Sequence, residues 1–390
     1  MALRETTDPV PPETAPAPHT AGPPELETGG VLTIDLGALV ANYRALRAKV
    51  SPSECSAVVK ADAYGCGIAP VVRALSEAGC KTFFVAHLAE GRAVRTLAPE
   101  ATIYALNGLP PGSASAFAEA HVRPAISSLQ ELAEWDAFCT TSGWRGGCAL
   151  HFDTGMNRLG IAADEAAALS HRIKMPDHGV TLVMSHFACA DAPAHALNNR
   201  QVQLFREIRS MFRGIPASLA NSAGIFLGSS THCDIARPGY ALYGGNPTPG
   251  SANPMTPVVG LRARIVQVRT VSRGDTVGYG ATWTAHRPSR IAIVSAGYGD
   301  GYQRAASGPE ATAGAEMAIG GARCRVVGRV SMDLMAVDVT ALADNAARRG
   351  EWATLIGGDI DIDALAAQCG TIGYELMCAL GARYARVWKS

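Results

Sequence analysis

From Val31 onward the chain alternates short apolar runs with longer stretches whose apolar residues recur every three or four positions. The run VLTID comes first, followed by DLGALVANYRALRAKV. In the latter, Leu36, Leu39, Val40, Tyr43 and Leu46 fall on one helical face, and Asp35 stands where a side chain can cap the first turn. Eight further apolar runs follow: SAVVK, TFFVA, TIYAL, RPAIS, CALHF, TLVMS, ASLAN and DIARP. Between them lie helix-patterned segments such as APVVRALSEAG, EGRAVRTL, LQELAEWDAF, DEAAALSHRI and LNNRQVQLFREIRSMF. Continuous apolar, β-branched runs suit strands buried on both faces. Eight of them, each followed by a helix, predict a closed, TIM-like (β/α)8 barrel. An open doubly wound sheet is the alternative, but no GxGxxG follows the first strand as a dinucleotide fold requires.

Near Thr256 the texture changes. VVGLRARIVQVRTV, RIAIVSAGYGDGY, RCRVVGRVSMD, MAVDVT and WATLIG are alternating or apolar runs punctuated by Gly and Asp, and only DIDALAAQCGTIGYELMCALG has a helical pattern. This predicts a smaller, mainly antiparallel β domain, with NPTPGSANPMTP as connector. The division expected is a Pro-rich extension over 1–30, a barrel over 31–255 and a β domain over 256–390. The first thirty residues hold seven prolines and lack the basic start and apolar run of a signal peptide. They carry too little apolar surface to offset ordering entropy, so they read as disordered.

Composition narrows the function classes. Of 390 residues, 48% are hydrophobic and 17% charged, with formal net charge +0, so nothing marks a nucleic-acid or anionic-membrane binder. No apolar run reaches the eighteen residues of a spanning helix. Ten cysteines are scattered singly, without CxxC pairs or Cys/His groups at zinc spacing, which predicts reduced thiols and no metal. The cytoplasm is the compartment expected.

In such a barrel, chemistry sits at the carboxyl ends of the strands. Lys60, His151, Arg158 in the loop after it, His186, Asn221 with Ser222, and Arg237 all fall there. A lysine at the end of a buried strand loses hydration, which lowers its pKa, and a partly neutral amine can form a Schiff base with a carbonyl cofactor. Singly, each residue has an ordinary reading: a solvated rim lysine, or a core histidine satisfied by a backbone carbonyl. A converging ring of them points to a pocket for an anionic, aromatic guest.

The segment VVKADAYGCG resembles the pyridoxal phosphate lysine motif of the alanine racemases, fold-type III enzymes. The similarity continues in order through HFDTGMNRLG, SHFACAD, ANSAG, ARPGYALYG, VGYGATW, SAGYGDGY, GRVSMD and GYELMC. It implies that Lys60 holds pyridoxal 5'-phosphate covalently and serves as one catalytic base. Tyr64, Ser222, the backbone of Gly239 and the hydroxyl of Tyr374 match the phosphate cradle, where the helix expected to open at SAGIFL would add its N-terminus. His186 matches the histidine beside the cofactor ring, and Arg237 the arginine paired with the pyridine nitrogen. Decarboxylases of this fold type generally place an acid there. An always-charged arginine keeps the nitrogen unprotonated, so proton return is favoured over transamination.

Racemisation needs bases on opposite faces of the α-carbon, and Tyr279 in VGYGATW matches the second. A free phenol near pKa 10 needs positive charge nearby, for which the Arg237 and His186 pair is the expected source. In the family this tyrosine comes from the partner subunit, so the resemblance implies a homodimer in which Tyr279 and Met332 complete the neighbouring pocket. Arg158 matches the arginine that steadies the cofactor's phenolic oxygen and the substrate carboxylate, and Met332 in SMD offers backbone to that carboxylate. Tyr298 matches the tyrosine that narrows the pocket mouth, which favours alanine. One methylene is worth only about 1–3 kcal/mol of discrimination, so serine is the expected second substrate.

Two positions depart from the family pattern. His151 stands where many members carry a carbamylated lysine, so imidazole, an anion or water must orient Arg158 instead, and Cys66 replaces a common histidine. The implied function is interconversion of L- and D-alanine, supplying D-alanine for cell-wall precursors or catabolising it. A broader serine/alanine racemase is the near alternative. A single-barrel cofactor carrier lacks the segment after Thr256 and with it Tyr279.

Overall fold

The computed structural model describes residues 19–172 and 179–390. Residues 1–18 of the predicted extension, and Ile173 at the end of the predicted DEAAALSHRI helix, lie outside them.

All eight apolar runs are barrel strands. The first holds Ala57–Val58, with Glu54–Cys55 just before it across Ser56, and Thr82–Val85, Thr102–Ala105, Arg123–Ile126, Cys148–His151, Val180–Met184, Ala217–Ser218 and Ile235–Ala236 follow. Neighbours pair in parallel from Ala57–Val58 round to Ala217–Ser218, and Ile235–Ala236 pairs with Glu54–Cys55. The seam between the last two strands closes through Asp234 N–H to Ala217 O and Arg237 N–H to Ala220 O, both 2.9 Å. Every residue of Thr82–Val85 and Cys148–His151 is buried, as expected for strands covered by side chains inside and helices outside. The helix Leu36–Val50 buries Leu39, Tyr43, Leu46 and Val50, and the Asp35 carboxylate accepts the Ala38 N–H at 2.7 Å.

The second domain is organised by the thirteen-residue strand Val259–Val271. Its first half pairs with Trp352–Ile356 and its second half with Ser289–Val294, across an irregularity between Ile265 and Gln267. Through Met335–Asp338, Ala322–Val327 and Glu316–Ile319 the antiparallel pairings return to Trp352–Ile356, closing a six-stranded ring. The predicted single helix near the C-terminus is two short ones, Ile362–Gln368 and Gly373–Ala379, because the chain leaves the first through Gly370 at φ +67°.

Two differences from the sequence reading concern the start of the chain. Gly30–Asp35, placed by its position with the barrel, pairs instead with Val259–Val271 and with the final strand Ala385–Lys389. Residues 19–29, read as part of a disordered extension, also take regular structure. His19–Ala21 pairs antiparallel with the final strand, Glu25–Glu27 forms a 3-10 turn, and Glu25 is salt-bridged to Arg264 at 2.8 Å. Edge pairing supplies the hydrogen bonds that apolar content alone does not foretell.

Candidate active site

Lys60 follows the Ala57–Val58 strand and is half-buried. Burial lowers its pKa and the Arg158 guanidinium lowers it further, while the Cys378 thiol and Glu90 act in the opposite sense. The next four residues adopt a conformation that their types do not announce. Ala61, Asp62, Ala63 and Tyr64 have φ of +54°, +53°, +55° and +56°, a left-handed turn closed by Gly65 N–H to Ala61 O at 2.9 Å. Each non-glycine residue held this way costs about 1–2 kcal/mol, so the surroundings must over-determine the turn. Four contacts of 2.7 Å do so. Glu90 Oε1 accepts the Ala61 N–H, Asp62 Oδ1 accepts the Ile68 N–H, Arg386 Nη1 donates to Gly65 O, and Trp388 Nε1 donates to Cys66 O. Cys66 thus serves through its backbone carbonyl.

The turn directs Tyr64 inward, where its ring stacks on Tyr243 with centroids 4.7 Å apart. Its phenol oxygen lies against Gly239, where a β-carbon would come within 2.3 Å of it, so only glycine fits. Ser222 Oγ accepts the N–H groups of Gly239 at 2.9 Å and Ala241 at 3.2 Å, tying the loop after the seventh strand to the loop after the eighth. Tyr374, from the second domain, stacks on Tyr240 at 3.8 Å and lies 6.3 Å from the Tyr64 ring. Tyr240 is fixed in turn by Asp363 Oδ1 at 2.6 Å. The helix expected at SAGIFL is a single 3-10 turn, Gly224–Leu227, too short for a macrodipole. Hydroxyls and backbone groups take its place.

Arg237 is 3% exposed. Its guanidinium donates to Ser218 Oγ and to Ser185 O at 2.6 Å, and lies 3.3 Å from His186 Nδ1. Burial lowers its pKa to about 10, which leaves it charged near neutrality. Burial and then Arg237 push the His186 pKa well below the ordinary imidazole value. His186 thus adds no positive charge near neutrality, against the expectation of a charged Arg237–His186 pair, and the positive charge acting at this point comes from Arg237, with Arg158 and Lys60 also contributing.

Arg158 projects exposed from a loop organised by Asp153, whose carboxylate accepts the N–H groups of Gly155 at 2.9 Å, Met156 at 2.9 Å and Asn157 at 3.0 Å. His151 is buried, with Nδ1 3.4 Å from Ser127 Oγ, and its pKa is lowered to about 4, by burial first and then by Arg237. At neutral pH the place of the carbamylated lysine holds an uncharged imidazole. Between about pH 6.5 and 4 the unfolded chain binds a proton here that the folded chain refuses. Stability present above pH 6.5 is therefore lost as pH falls to 4, by roughly 3 kcal/mol. Urea unfolding at pH 7 and pH 4.5 is expected to show a smaller difference for His151→Gln than for wild type, and an equal difference would remove this account of His151.

The remaining three residues stand apart in the second domain. Tyr279, 72% exposed, sits at the tip of the hairpin formed by Thr276–Val277 and Trp283–Thr284. Flanking Gly278 and Gly280 have φ of +80° and +73° and pack closely on Arg329. Tyr298 and Met332 are 43% and 54% exposed and adjoin, with Gly299 N–H donating to Met332 O at 2.8 Å.

Sequence reasoning missed Glu90, Tyr240, Tyr243, Asp363 and the serines around Arg237. Glu90 occupies the third position of the helix Leu88–Leu97, a capping-box register hidden because the cap position is His87 instead of Ser or Thr. Among the described residues no group of three or more His, Cys, Asp or Glu could hold a metal, and no helix is long and apolar enough to cross a membrane.

The loops that meet at Ser222 and Gly239 are those where barrel enzymes commonly hold phosphate. Together with a half-buried lysine on the same rim, they fit the class of barrel enzymes that hold a phosphorylated cofactor. Comparison with known proteins is specific. Residues 34–247 match the family model for the alanine racemase N-terminal domain and residues 258–388 that for the C-terminal domain. Alanine racemases of Methylobacterium sp. (strain 4-46) and Methylobacterium nodulans are 51% and 52% identical to it. These matches cover 96% and 92% of this chain and 99% and 95% of the relatives. The crystal structure of alanine racemase from Bartonella henselae, with covalently bound pyridoxal phosphate, superposes with a TM-score of 0.88 at 35% identity, covering 93% of this chain and 99% of that one. The chain belongs to the alanine racemase family.

Proposed function

We propose that the protein interconverts L- and D-alanine using pyridoxal 5'-phosphate held on Lys60, in a homodimer whose two active sites each draw on both subunits. The observation that carries this is the junction of Tyr64, Ser222 and Gly239 beside the strained Lys60 turn. Gly239 leaves room where a β-carbon would collide with Tyr64, and amide, hydroxyl and phenol groups suited to phosphate meet there. The donor set around Arg237 also fits the cofactor, since its partners are neutral hydroxyls, carbonyls and an imidazole, with no carboxylate among the described ones.

Bound to Lys60, pyridoxal phosphate supplies the electron sink that acidifies the α-hydrogen of an amino acid. Lys60, whose pKa is lowered by burial and then by Arg158, takes or returns that proton on one face. Tyr279 of the partner subunit serves the opposite face, consistent with a phenol left exposed on a stiff hairpin instead of packed into its own domain. Tyr64, Ser222, Gly239 and Tyr374 would hold the phosphate, His186 would line the cofactor pocket, and Arg237, always charged, would pair with the cofactor's nitrogen without supplying a proton to it. Arg158 and the Met332 backbone receive the substrate carboxylate, and Tyr298 narrows the mouth. The barrel occupies 31–255 and the β domain 256–390, although Gly30–Asp35 lends its backbone to the second sheet. A cytoplasmic enzyme supplying or consuming D-alanine is the corresponding cellular role.

The test is racemisation of L-alanine, L-serine and larger L-amino acids by purified protein in deuterium oxide, scoring D-product and α-deuteration together. Alanine is expected to lead serine by about 10- to 200-fold in kcat/KM. Equal rates for large and small side chains would refute the narrow-mouth reading.

A further inference from the structure

We propose that Glu90 is a positioning residue for Lys60: its carboxylate spans the rim between the first two barrel strands and fixes the backbone on which the lysine stands. The inference rests on the assignment of Lys60 as the cofactor lysine.

The ladder between those strands ends at Val59, whose N–H donates to Phe84 O at 2.9 Å. Beyond that point the backbone turns left-handed, and no strand carbonyl receives the Ala61 N–H. Glu90 Oε1 accepts it at 2.7 Å, while Oε2 accepts the N–H groups of Ala86 at 2.7 Å and His87 at 3.2 Å. One ionised group thus collects three amides from two strand ends, one of them directly after Lys60. Charge-assisted bonds of this length are roughly twice as strong as neutral ones, which suits a device that opposes the cost of four left-handed residues. Its negative charge also acts on the Lys60 amine, against the effects of burial and Arg158.

Glu131 repeats the device two strands further round the barrel, which supplies an internal control. It too occupies the third position of a helix, Leu129–Ser142, and its Oε2 accepts the N–H groups of Ser127 at 2.8 Å and Leu109 at 3.4 Å. No lysine stands there. If Glu90 did no more than staple neighbouring strand ends, the two glutamates would be equivalent.

Glutamine is the informative replacement. It keeps size and shape but has one accepting oxygen, and its NH2 would face an N–H that needs an acceptor. Wild type, Glu90→Gln, Glu90→Asp, Glu131→Gln and Lys60→Ala are loaded with pyridoxal phosphate and followed by visible absorbance during dialysis. The pH midpoint of Lys60 labelling by an amine reagent is then measured in the stripped full-length proteins by mass spectrometry. Glu90→Gln is expected to release cofactor about 10- to 100-fold faster and to shift the labelling midpoint to lower pH, because the compensating negative charge is gone. Glu90→Asp is expected to release faster but hold its midpoint closer to wild type, since it keeps the charge and loses the reach. Glu131→Gln is expected to match wild type in both readouts, even where its melting temperature falls. Wild-type behaviour of Glu90→Gln, or the same changes in Glu131→Gln, overturns the proposal. Retention of cofactor absorbance by Lys60→Ala would instead overturn the assignment of the lysine beneath it.

Discussion

Replacing Lys60 by alanine is expected to abolish the visible absorbance of bound pyridoxal phosphate and to lower racemase turnover by about 10⁴-fold or more, since covalent anchoring and one proton transfer are lost together. The fold should survive. Lys60 is half-buried with an amine whose protonated form is disfavoured by burial, so removing it relieves a desolvation cost. The turn that carries it is held by contacts to Ala61, Gly65 and Cys66 backbone, none of which involves the lysine side chain. Thermal unfolding of the cofactor-free variant within about 1 kcal/mol of wild type is the check on this point. A large loss of stability would assign Lys60 a packing role and leave the activity loss uninterpretable.

Replacing Tyr279 by phenylalanine is expected to give a different signature. The ring remains and only the hydroxyl goes, from a side chain 72% exposed on its own subunit, so folding and cofactor absorbance should be unchanged. Turnover of L-alanine should fall by about 10²- to 10⁴-fold, the usual contribution of a positioned acid or base. Exchange of the α-hydrogen of D-alanine, the face served by Lys60, should persist in deuterium oxide. Equal loss on both enantiomers would mean that Tyr279 shapes the pocket without moving a proton, and full two-way activity would remove it from the chemistry.

The barrel was legible in the sequence because strands buried on both faces are written as unbroken apolar runs, and all eight were found on that ground. Gly30–Asp35 defeated the same reasoning. An apolar run states that a strand is buried but not against which partner, and its neighbours Val259–Val271 and Ala385–Lys389 lie more than two hundred residues away. The left-handed turn after Lys60 was illegible for a related reason. Ala61, Asp62 and Ala63 have no strong leaning to positive φ, and what imposes it includes Arg386 and Trp388 at the far end of the chain. The candidate residues at the barrel rim could be named from strand ends, whereas Glu90 could not, since it bonds backbone amides from a capping-box register whose cap position is His87 instead of Ser or Thr. Tyr279 shows the reverse case. The resemblance names it, and a single chain leaves it 72% exposed on a hairpin of the second domain.

That exposure makes the sharing of sites between subunits the central claim, and subunit mixing tests it most directly. Lys60→Ala and Tyr279→Ala variants, carrying different tags, are co-expressed, and the mixed dimers are isolated by sequential affinity steps. Each variant alone is expected to be inactive. A mixed dimer with shared sites holds one pocket lacking both groups and one pocket with neither replaced, so it should recover about half of the wild-type activity per dimer. If Lys60 and Tyr279 acted within one chain, every pocket of the mixed dimer would lack one of them, and purified mixed dimers as inactive as their parents would contradict the account.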